Sequence, residues 1–214
     1  MLVTVDIGNT NITIGIFDKE DLIGTYRLTT KVRRTSDEYG FMLKNFLDRS
    51  NVHEKQIDSV IVSSVVPKVM HSFTNGIKKF VGIEPLIVGP GIKSGISVQL
   101  ENPRNVGADR IADCAGAFSE YGGPILVADF GTATTYDYVD ENGCFKAGAI
   151  GVGIKQEQMH YGDKRHSFLK LRSNVQKLSW QEIHKQKCKL VYFINSWAEL
   201  NIQLLNSKKK LVKT

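Results

Sequence analysis

The sequence predicts an α/β protein built on mixed β-sheets. Three apolar, β-branched segments open the chain at residues 2–5, 12–17 and 22–28, and this spacing is typical of an antiparallel meander. Beyond the meander, predicted strands alternate with predicted helices, which favours an α/β architecture. The chain has 214 residues, 42% hydrophobic and 23% charged, so it can bury a substantial core.

The later elements are predicted from capping residues and apolar spacing. Thr35 or Ser36 caps a first helix, Pro67 opens a second, and Asn105 caps a third that runs from Val106 to about Tyr121. The first helix is expected to bury one apolar face, formed by Phe41, Met42, Phe46 and Leu47. The remaining strands are predicted at residues 57–64, 85–88, 124–129, 134–139 and 145–150.

Two short segments share one pattern: an apolar run, an aspartate, a turn rich in glycine and hydroxyl groups, and a second apolar run. They span residues 5–15 and 127–135. Backbone amides in a tight turn form a concave anion site, and glycine lets a phosphate approach closely. An aspartate beside phosphates implies a cation between them. One such segment is also what an ordinary hairpin looks like, but the matched pair indicates two halves that close on one nucleotide.

Charge and cysteine usage narrow the class of protein. Asp6 comes too early for the apolar core of a secretion signal, and no apolar run reaches the length of a membrane span. The three cysteines, Cys114, Cys144 and Cys188, lack the spacing of a metal site and suit a reducing compartment. We therefore expect a cytoplasmic protein that does not bind a membrane.

The last part of the chain has a different texture. Residues 156–214 hold twelve Lys and Arg against four Asp and Glu, a net charge of +8, whereas the preceding residues are near neutral. Glycine almost disappears, with Gly162 alone remaining, and the periodicity of the earlier elements is lost. The segment is either a basic helical tail or a stretch of residues that does not belong to this fold.

Three motifs in order resemble those of type III pantothenate kinases. They are the run from Asp6 to Thr10 (DIGNT), residues 101–110 (ENPRNVGADR) and the run from Asp129 to Thr135 (DFGTATT). Residues 63–67 (SSVVP) and 148–150 (GAI) also look like the family pattern, and the resemblance extends from residue 1 to about 155.

The resemblance implies a duplicated ribonuclease H-like fold, of the actin-like ATPase type, with mixed sheets and here an incomplete second half. It implies a first subdomain at residues 1–113, the start of a second at 114–155 and an atypical basic tail at 156–214. The implied reaction is ATP-dependent phosphorylation of pantothenate to 4'-phosphopantothenate, the first step of coenzyme A synthesis. The implied partners are pantothenate, Mg-ATP, a monovalent cation (potassium or ammonium) and a second copy of the chain.

The resemblance also assigns residues. Asp109 is the expected general base, which suits phosphoryl transfer because alignment and charge neutralisation do most of the catalysis. Asp129 is expected to bind the monovalent cation, and Asp6 to meet magnesium through ATP. The expected pantothenate contacts are Gly107, Ala108, Asp109 and Arg110, whose guanidinium suits a carboxylate. The expected ATP contacts are Asp6, Ile7, Gly8, Asn9, Thr10, Asn11, Ile12, Thr13 and Thr132.

Two alternative functions stay open for the chain, and one alternative role for Asp109 and Arg110. The chain could be a nucleotide-binding regulator on the same fold, although a pure binder needs no base at Asp109. It could bind nucleic acid through its basic tail, but the tail has no regularly spaced aromatic residues and no nucleic-acid motif, so we expect none. Asp109 and Arg110 could also form no more than a surface ion pair near a helix start.

We hypothesise that the tail arises from a frameshift. In the displaced frame, codons for residues 167–173 can encode LPKIEI and those for 187–192 can encode MQAGL, and both strings look like the C-terminal half of the family. Loss of the helices that cover a sheet exposes apolar surface, which costs about 25 cal/mol of folding free energy per Å². Because proteins are only marginally stable, we expect poor or absent activity. Sequencing the coding DNA tests the hypothesis, because an intact frame with unrelated codons contradicts it.

Overall fold

The structure is a computed structural model that describes residues 1–89, 91–153 and 189–193. It contains three α-helices, which are α1 (Ser36–Arg49), α2 (Pro67–Val81) and α3 (Ala108–Tyr121). The strands, in chain order, are β1 (Leu2–Ile7), β2 (Asn11–Asp18), β3 (Asp21–Thr29), β4 (Ser59–Ser64), β5 (Leu86–Ile87), β6 (Ser97–Val98), β7 (Ile125–Phe130), β8 (Ala133–Val139), β9 (Cys144–Val152) and β10 (Lys189–Phe193). Across these ranges, every helix is too short or too polar to span a bilayer.

The first sheet has the strand order β3-β2-β1-β4-β5. The predicted meander forms β1, β2 and β3, which pair antiparallel, while β4 pairs with β1 in parallel and β5 with β4 in parallel. Alternate residues of β1 enter one apolar core, which also receives Val60 and Val62 of β4. The remaining β1 side chains, Thr4 and Asp6 among them, therefore lie on the opposite face of the sheet.

The two helices of this unit begin where the sequence predicted. Thr35 caps α1: its side chain accepts from the Glu38 amide at 3.3 Å, and the Glu38 carboxylate accepts from the Thr35 amide at 2.7 Å. That backbone hydrogen bond from Thr35 is the main reason the pKa of Glu38 lies below its usual value. Pro67 occupies the first turn of α2, which ends at Gly82 in the left-handed conformation with φ of 77°.

The predicted buried face of α1 is wrong at Phe41. This side chain is 59% exposed and packs beside the Phe80 ring, with centroids 4.9 Å apart. The buried face instead follows Tyr39, Leu43 and Leu47, which recur every four residues. The sequence analysis placed Phe41 among apolar neighbours, but it lies two positions away from this stripe and so points to another side of the helix.

The second sheet has the order β10-β7-β8-β9-β6 and repeats the first. β7, β8 and β9 form an antiparallel meander, and β10 pairs with β7 in parallel as β4 pairs with β1. Within the described residues, no strand lies beside β10 at the place that β5 takes beside β4. The predicted α/β fold with two mixed sheets is confirmed, and the antiparallel meander with a parallel strand beside its first strand occurs in both sheets.

Two predicted elements begin two residues later in the structure. The strand predicted from residue 57 begins at Ser59, because Ile57 ends a short 3-10 turn. The helix predicted from Val106 begins at Ala108, because Pro103–Asn105 forms a separate 3-10 turn and Val106 is extended. The strands β6 and β10 were not predicted, and the rest of the predicted basic tail lies outside the described residues.

Residue contacts divide the chain into two compact units. Of the described residues, the first unit contains those of Met1–Ile92 with Gly107–Asp109, and the second contains Lys93–Val106 and those from Arg110 to Phe193, including β10. The subdomain boundary predicted after Asp113 falls within α3 and stays a prediction.

The contact between α1 and α2 depends on a glycine, and substitution tests this. A Cβ at Gly76 of α2 would lie 2.6 Å from the Ser36 carbonyl oxygen and 3.1 Å from the Gly40 amide nitrogen. In an open helix, Gly→Ala stabilises by up to about 1 kcal/mol. Here we expect Gly76→Ala to lower the free energy of unfolding by about 1–3 kcal/mol, because overpacking outweighs propensity.

Urea unfolding followed by circular dichroism measures this change. Lys68→Ala, at an exposed position of the same helix, is the matched control and should change stability by no more than about 0.5 kcal/mol. A Gly76→Ala variant more stable than the wild type would contradict the prediction, because it would show that α1 and α2 can move apart without loss of folding free energy.

Candidate functional site

The first hairpin loop joins β1 to β2 and is held closed by backbone bonds. The Gly8 amide donates to the Asn11 carbonyl at 2.9 Å, and a Cβ at Gly8 would lie 3.3 Å from that oxygen. Thr30, directly after β3, ties the loop from outside: its hydroxyl donates to the Gly8 carbonyl at 2.8 Å and its amide to the Thr10 carbonyl at 3.0 Å. The loop is therefore fixed at two carbonyls before any ligand arrives.

The predicted ATP contacts in this hairpin divide into two groups. The Ile7 and Ile12 side chains are fully buried in the apolar core, so only their backbone groups could meet a ligand. Asn9 and Asn11 are exposed, while Asp6, Gly8, Thr10 and Thr13 are half-buried. The exposed and half-buried residues form the second group, and their polar side chains, where present, can reach a ligand.

A polar row crosses the first sheet at the end of β1. Asp6 pairs with Thr13 of β2 on one side and with Ser63 of β4 on the other. Register partners in neighbouring strands carry their side chains on the same face, so the three polar groups lie side by side. The next row inward, Thr4 beside Gly15, is tightly packed, since a Cβ at Gly15 would lie 2.8 Å from the Thr4 hydroxyl oxygen.

The second hairpin repeats the geometry of the first. Asp129 is the fifth residue of β7, as Asp6 is the fifth residue of β1. The Gly131 amide donates to the Ala133 carbonyl at 3.0 Å, and a Cβ at Gly131 would lie 3.5 Å from a carboxylate oxygen of Asp129. Asp129 is half-buried and Thr132 exposed.

Gly153 supports the second loop from directly after β9. A Cβ at this buried glycine would overlap the Gly131 and Thr132 carbonyl oxygens, so only glycine allows the approach. Thr30 and Gly153 thus take corresponding places, each following the third strand of its meander. In both halves the third strand braces the loop that joins the first two.

Asp109 lies in the first turn of α3, where the helix dipole favours a negative charge. A Cβ at Gly107 would overlap its Oδ1 atom and would also lie 3.4 Å from a methyl group of Val65. Gly107 therefore makes room for the half-buried Asp109 carboxylate, and Ala108 beside it is buried.

Arg110 pairs with a carboxylate that the sequence analysis did not identify. Its Nε donates to the two carboxylate oxygens of Asp137 at 3.0 and 3.1 Å, and its Nη2 also contacts Oδ1. The side chains are 12% and 1% exposed, so this is a buried ion pair. A Cβ at Gly148 would overlap the guanidinium, and the Phe145 ring centroid lies 5.5 Å from Cζ.

The Cys114 thiol lies one turn after Arg110 and is completely buried. Burial raises its pKa well above the ordinary value, and the carboxylates of Asp137 and Asp113 raise it further. Both effects favour the protonated thiol, which is a weaker nucleophile than the thiolate.

The structure places the predicted residues in both units. Asp6–Thr13 and Gly107–Asp109 belong to the first unit, and Arg110, Asp129 and Thr132 to the second. Sequence reasoning missed Thr30, Asp137 and Gly153. Asp137 carried a usable signal, because it is the one charged residue of β8 (ATTYDYV) and a carboxylate buried in a strand needs a cation.

Comparison with known proteins identifies a family for most of the chain. The type III pantothenate kinase family model matches residues 2–166. A type III pantothenate kinase of Bifidobacterium adolescentis is 58% identical over 155 residues, covering 72% of this chain and 60% of that protein. The Listeria welshimeri enzyme of the same name is 47% identical over 154 residues, with coverage of 72% and 60%. The chain thus spans about 60% of the length of these relatives.

A solved structure shares the fold. A Campylobacter jejuni protein whose name places it in the Baf family superposes with a TM-score of 0.51 at 16% identity, covering 99% of this chain and 97% of that one. At this identity the likeness concerns the fold alone.

The buried ion pair gives a direct test of stability. Asp137→Asn leaves the buried Arg110 guanidinium without its counter-charge, and removal of one partner of a buried pair costs about 3–5 kcal/mol. We expect a loss of this size in the free energy of unfolding, measured by urea denaturation. Glu141→Gln neutralises an exposed carboxylate just after β8 and should leave stability within about 0.5 kcal/mol of the wild type. Equal stability of the two variants would contradict the role of the pair.

Proposed function

The chain belongs to the type III pantothenate kinase family, and on that premise we propose that it transfers the γ-phosphate of ATP to the hydroxyl of pantothenate. The product is 4'-phosphopantothenate, and the reaction is the first step of coenzyme A biosynthesis. The observation that carries the proposal is the repeated hairpin, which places Asp6 and Asp129 at the same position of β1 and β7, each before a glycine-containing loop.

The first hairpin is proposed to hold the ATP phosphates. Phosphoryl transfer requires positioning and neutralisation of charge more than covalent chemistry by the protein. Thr30 supports this role because its hydrogen bonds to the carbonyls of Gly8 and Thr10 restrain the loop. A restrained loop loses less conformational freedom when it binds a phosphate. Thr132, exposed on the second loop, is proposed as a further phosphate contact.

Magnesium and a monovalent cation fit the donor set. The Asp6 and Asp129 carboxylates supply oxygen ligands, which both cations prefer. Among the described residues, no group of three or more Asp, Glu, His or Cys side chains could form a complete protein cage. Each carboxylate would therefore share its cation with phosphate oxygens and water. Magnesium supplies charge neutralisation on the phosphates when bound.

Asp109 is proposed to accept the proton of the pantothenate hydroxyl. This role is supported by the place of its carboxylate in the first turn of α3, where Gly107 leaves room for it. Arg110 is proposed to hold the pantothenate carboxylate beside it, together with Gly107 and Ala108. A guanidinium carries five N–H donors, which allows a second acceptor besides Asp137.

We also propose that the whole chain has this activity, that it forms a homodimer and that it is located in the cytoplasm. Similarity to the curated relatives covers 155 residues, and the chain spans 60% of the length of the first of them. The change in charge and glycine content after residue 155 favours one second candidate, a chain that binds nucleotide without turnover.

The test is ATP-dependent phosphorylation of pantothenate by the purified full chain, with and without potassium. We expect cation-dependent turnover that is poor because of the atypical tail, and we expect Asp109→Asn to lower it by a further ~10²–10⁴-fold, because a general base contributes this factor, while ATP binding is unchanged. Glu120→Gln, an exposed carboxylate near the end of α3, is the control and should keep wild-type turnover.

Two other outcomes are informative. Turnover that persists in Asp109→Asn would show that another group accepts the proton. ATP binding without turnover by the wild-type chain would favour the second candidate, and restoring the displaced reading frame would then test whether the tail is the cause.

A further inference from the structure

The polar row of Thr13, Asp6 and Ser63 contains one hydroxyl without a partner. The Ser63 residue is 3% exposed, and its Oγ has no hydrogen-bond partner among the described residues. Its strand neighbour in register is Asp6, and neighbouring strands lie about 4.8 Å apart. The buried hydroxyl therefore lies beside the carboxylate already assigned to the ligand, on the same face of the sheet.

The adjacent serine shows what a structural role looks like here. The Ser64 hydroxyl accepts a hydrogen bond from the Val66 amide at 3.0 Å, just before α2 begins. Among the described residues, the other buried hydroxyl without a partner belongs to Tyr39, whose ring packs in the apolar core 4.9 Å from that of Phe73. In this part of the chain, Ser63 is the residue that combines a missing partner with a place in the polar row.

A buried hydroxyl that makes no hydrogen bond destabilises the folded chain, because it loses its hydrogen bonds to water and forms none within the protein. Alanine would occupy the same position without that penalty. Since the described residues supply no partner for this hydroxyl, a bound molecule can supply one.

We propose that the Ser63 hydroxyl accepts a hydrogen bond from a water molecule that hydrates the magnesium ion of the bound nucleotide. Asp6, its register partner in β1, is proposed to meet the same ion. Magnesium dehydrates reluctantly and keeps several waters in protein sites, and each such water is a strong donor. The inference rests on the proposed nucleotide binding by the first hairpin. It makes Ser63 a binding residue whose contribution requires the metal.

Calorimetric titration of the full chain with ADP, in excess magnesium and in EDTA, tests the proposal. Ser63→Ala should weaken ADP binding about tenfold in magnesium, equivalent to about 1.4 kcal/mol, and should leave binding in EDTA unchanged. The thermal midpoint of the ligand-free variant should equal or exceed that of the wild type. Ser59→Ala, on the same face of β4 but opposite Leu2, is the control and should bind as the wild type does.

Each other outcome overturns the inference. Unchanged affinity in magnesium shows that the hydroxyl meets no ligand group. Equal weakening with and without magnesium shows that it meets the nucleotide directly. A lowered midpoint of the ligand-free variant shows a structural partner. Failure of the wild-type chain to bind ADP under either condition overturns the proposed function and this inference together, which distinguishes that case from a failure at Ser63 alone.

Discussion

The register of β1 against its two neighbours is the constraint on which the first half of the site depends. Val3, Val5 and Ile7 enter the apolar core, so the period of two along a strand sends Thr4 and Asp6 to the other face. A slip by one residue would exchange the two sets and bury the carboxylate in the core. The free energy that fixes the direction of Asp6 is therefore the hydrophobic burial of its neighbours, and the site needs no separate device to orient it.

The two halves use the same solution with different chemistry. In each, the residue after the third strand of the meander supports the loop between the first two. Thr30 does so by donating hydrogen bonds, and Gly153 by having no side chain, which lets its backbone approach the Gly131 and Thr132 carbonyls. Equivalent positions can therefore carry unlike residues, because the requirement is a fixed loop and not a particular contact.

Local pattern was enough to predict most elements and both hairpins, since alternation, capping and turn residues act over a few positions. It failed where partners are distant in sequence. Arg110 and Asp137 are 27 residues apart, and no local rule joins them. β10 was missed although its residues (KLVYF) are typical of a strand, because the basic segment around it lacks the periodicity of the earlier elements; its pairing with β7 identifies it. Phe41 was misplaced because an apolar residue between two helix faces takes its environment from a neighbouring helix.

The pairing of Arg110 with Asp137 bears on its proposed substrate role. Recognition of a carboxylate by a guanidinium is directional, because the planar group must present its donors in one orientation. A free arginine loses rotamer freedom when it binds, and that loss weakens binding. Here the bonds to Asp137 and the Phe145 ring restrict the side chain beforehand. The buried pair therefore fixes the plane of the guanidinium before a second carboxylate arrives, and the five N–H donors of the group support the proposed contact. The charge of Asp137 offsets part of the attraction between Arg110 and that carboxylate.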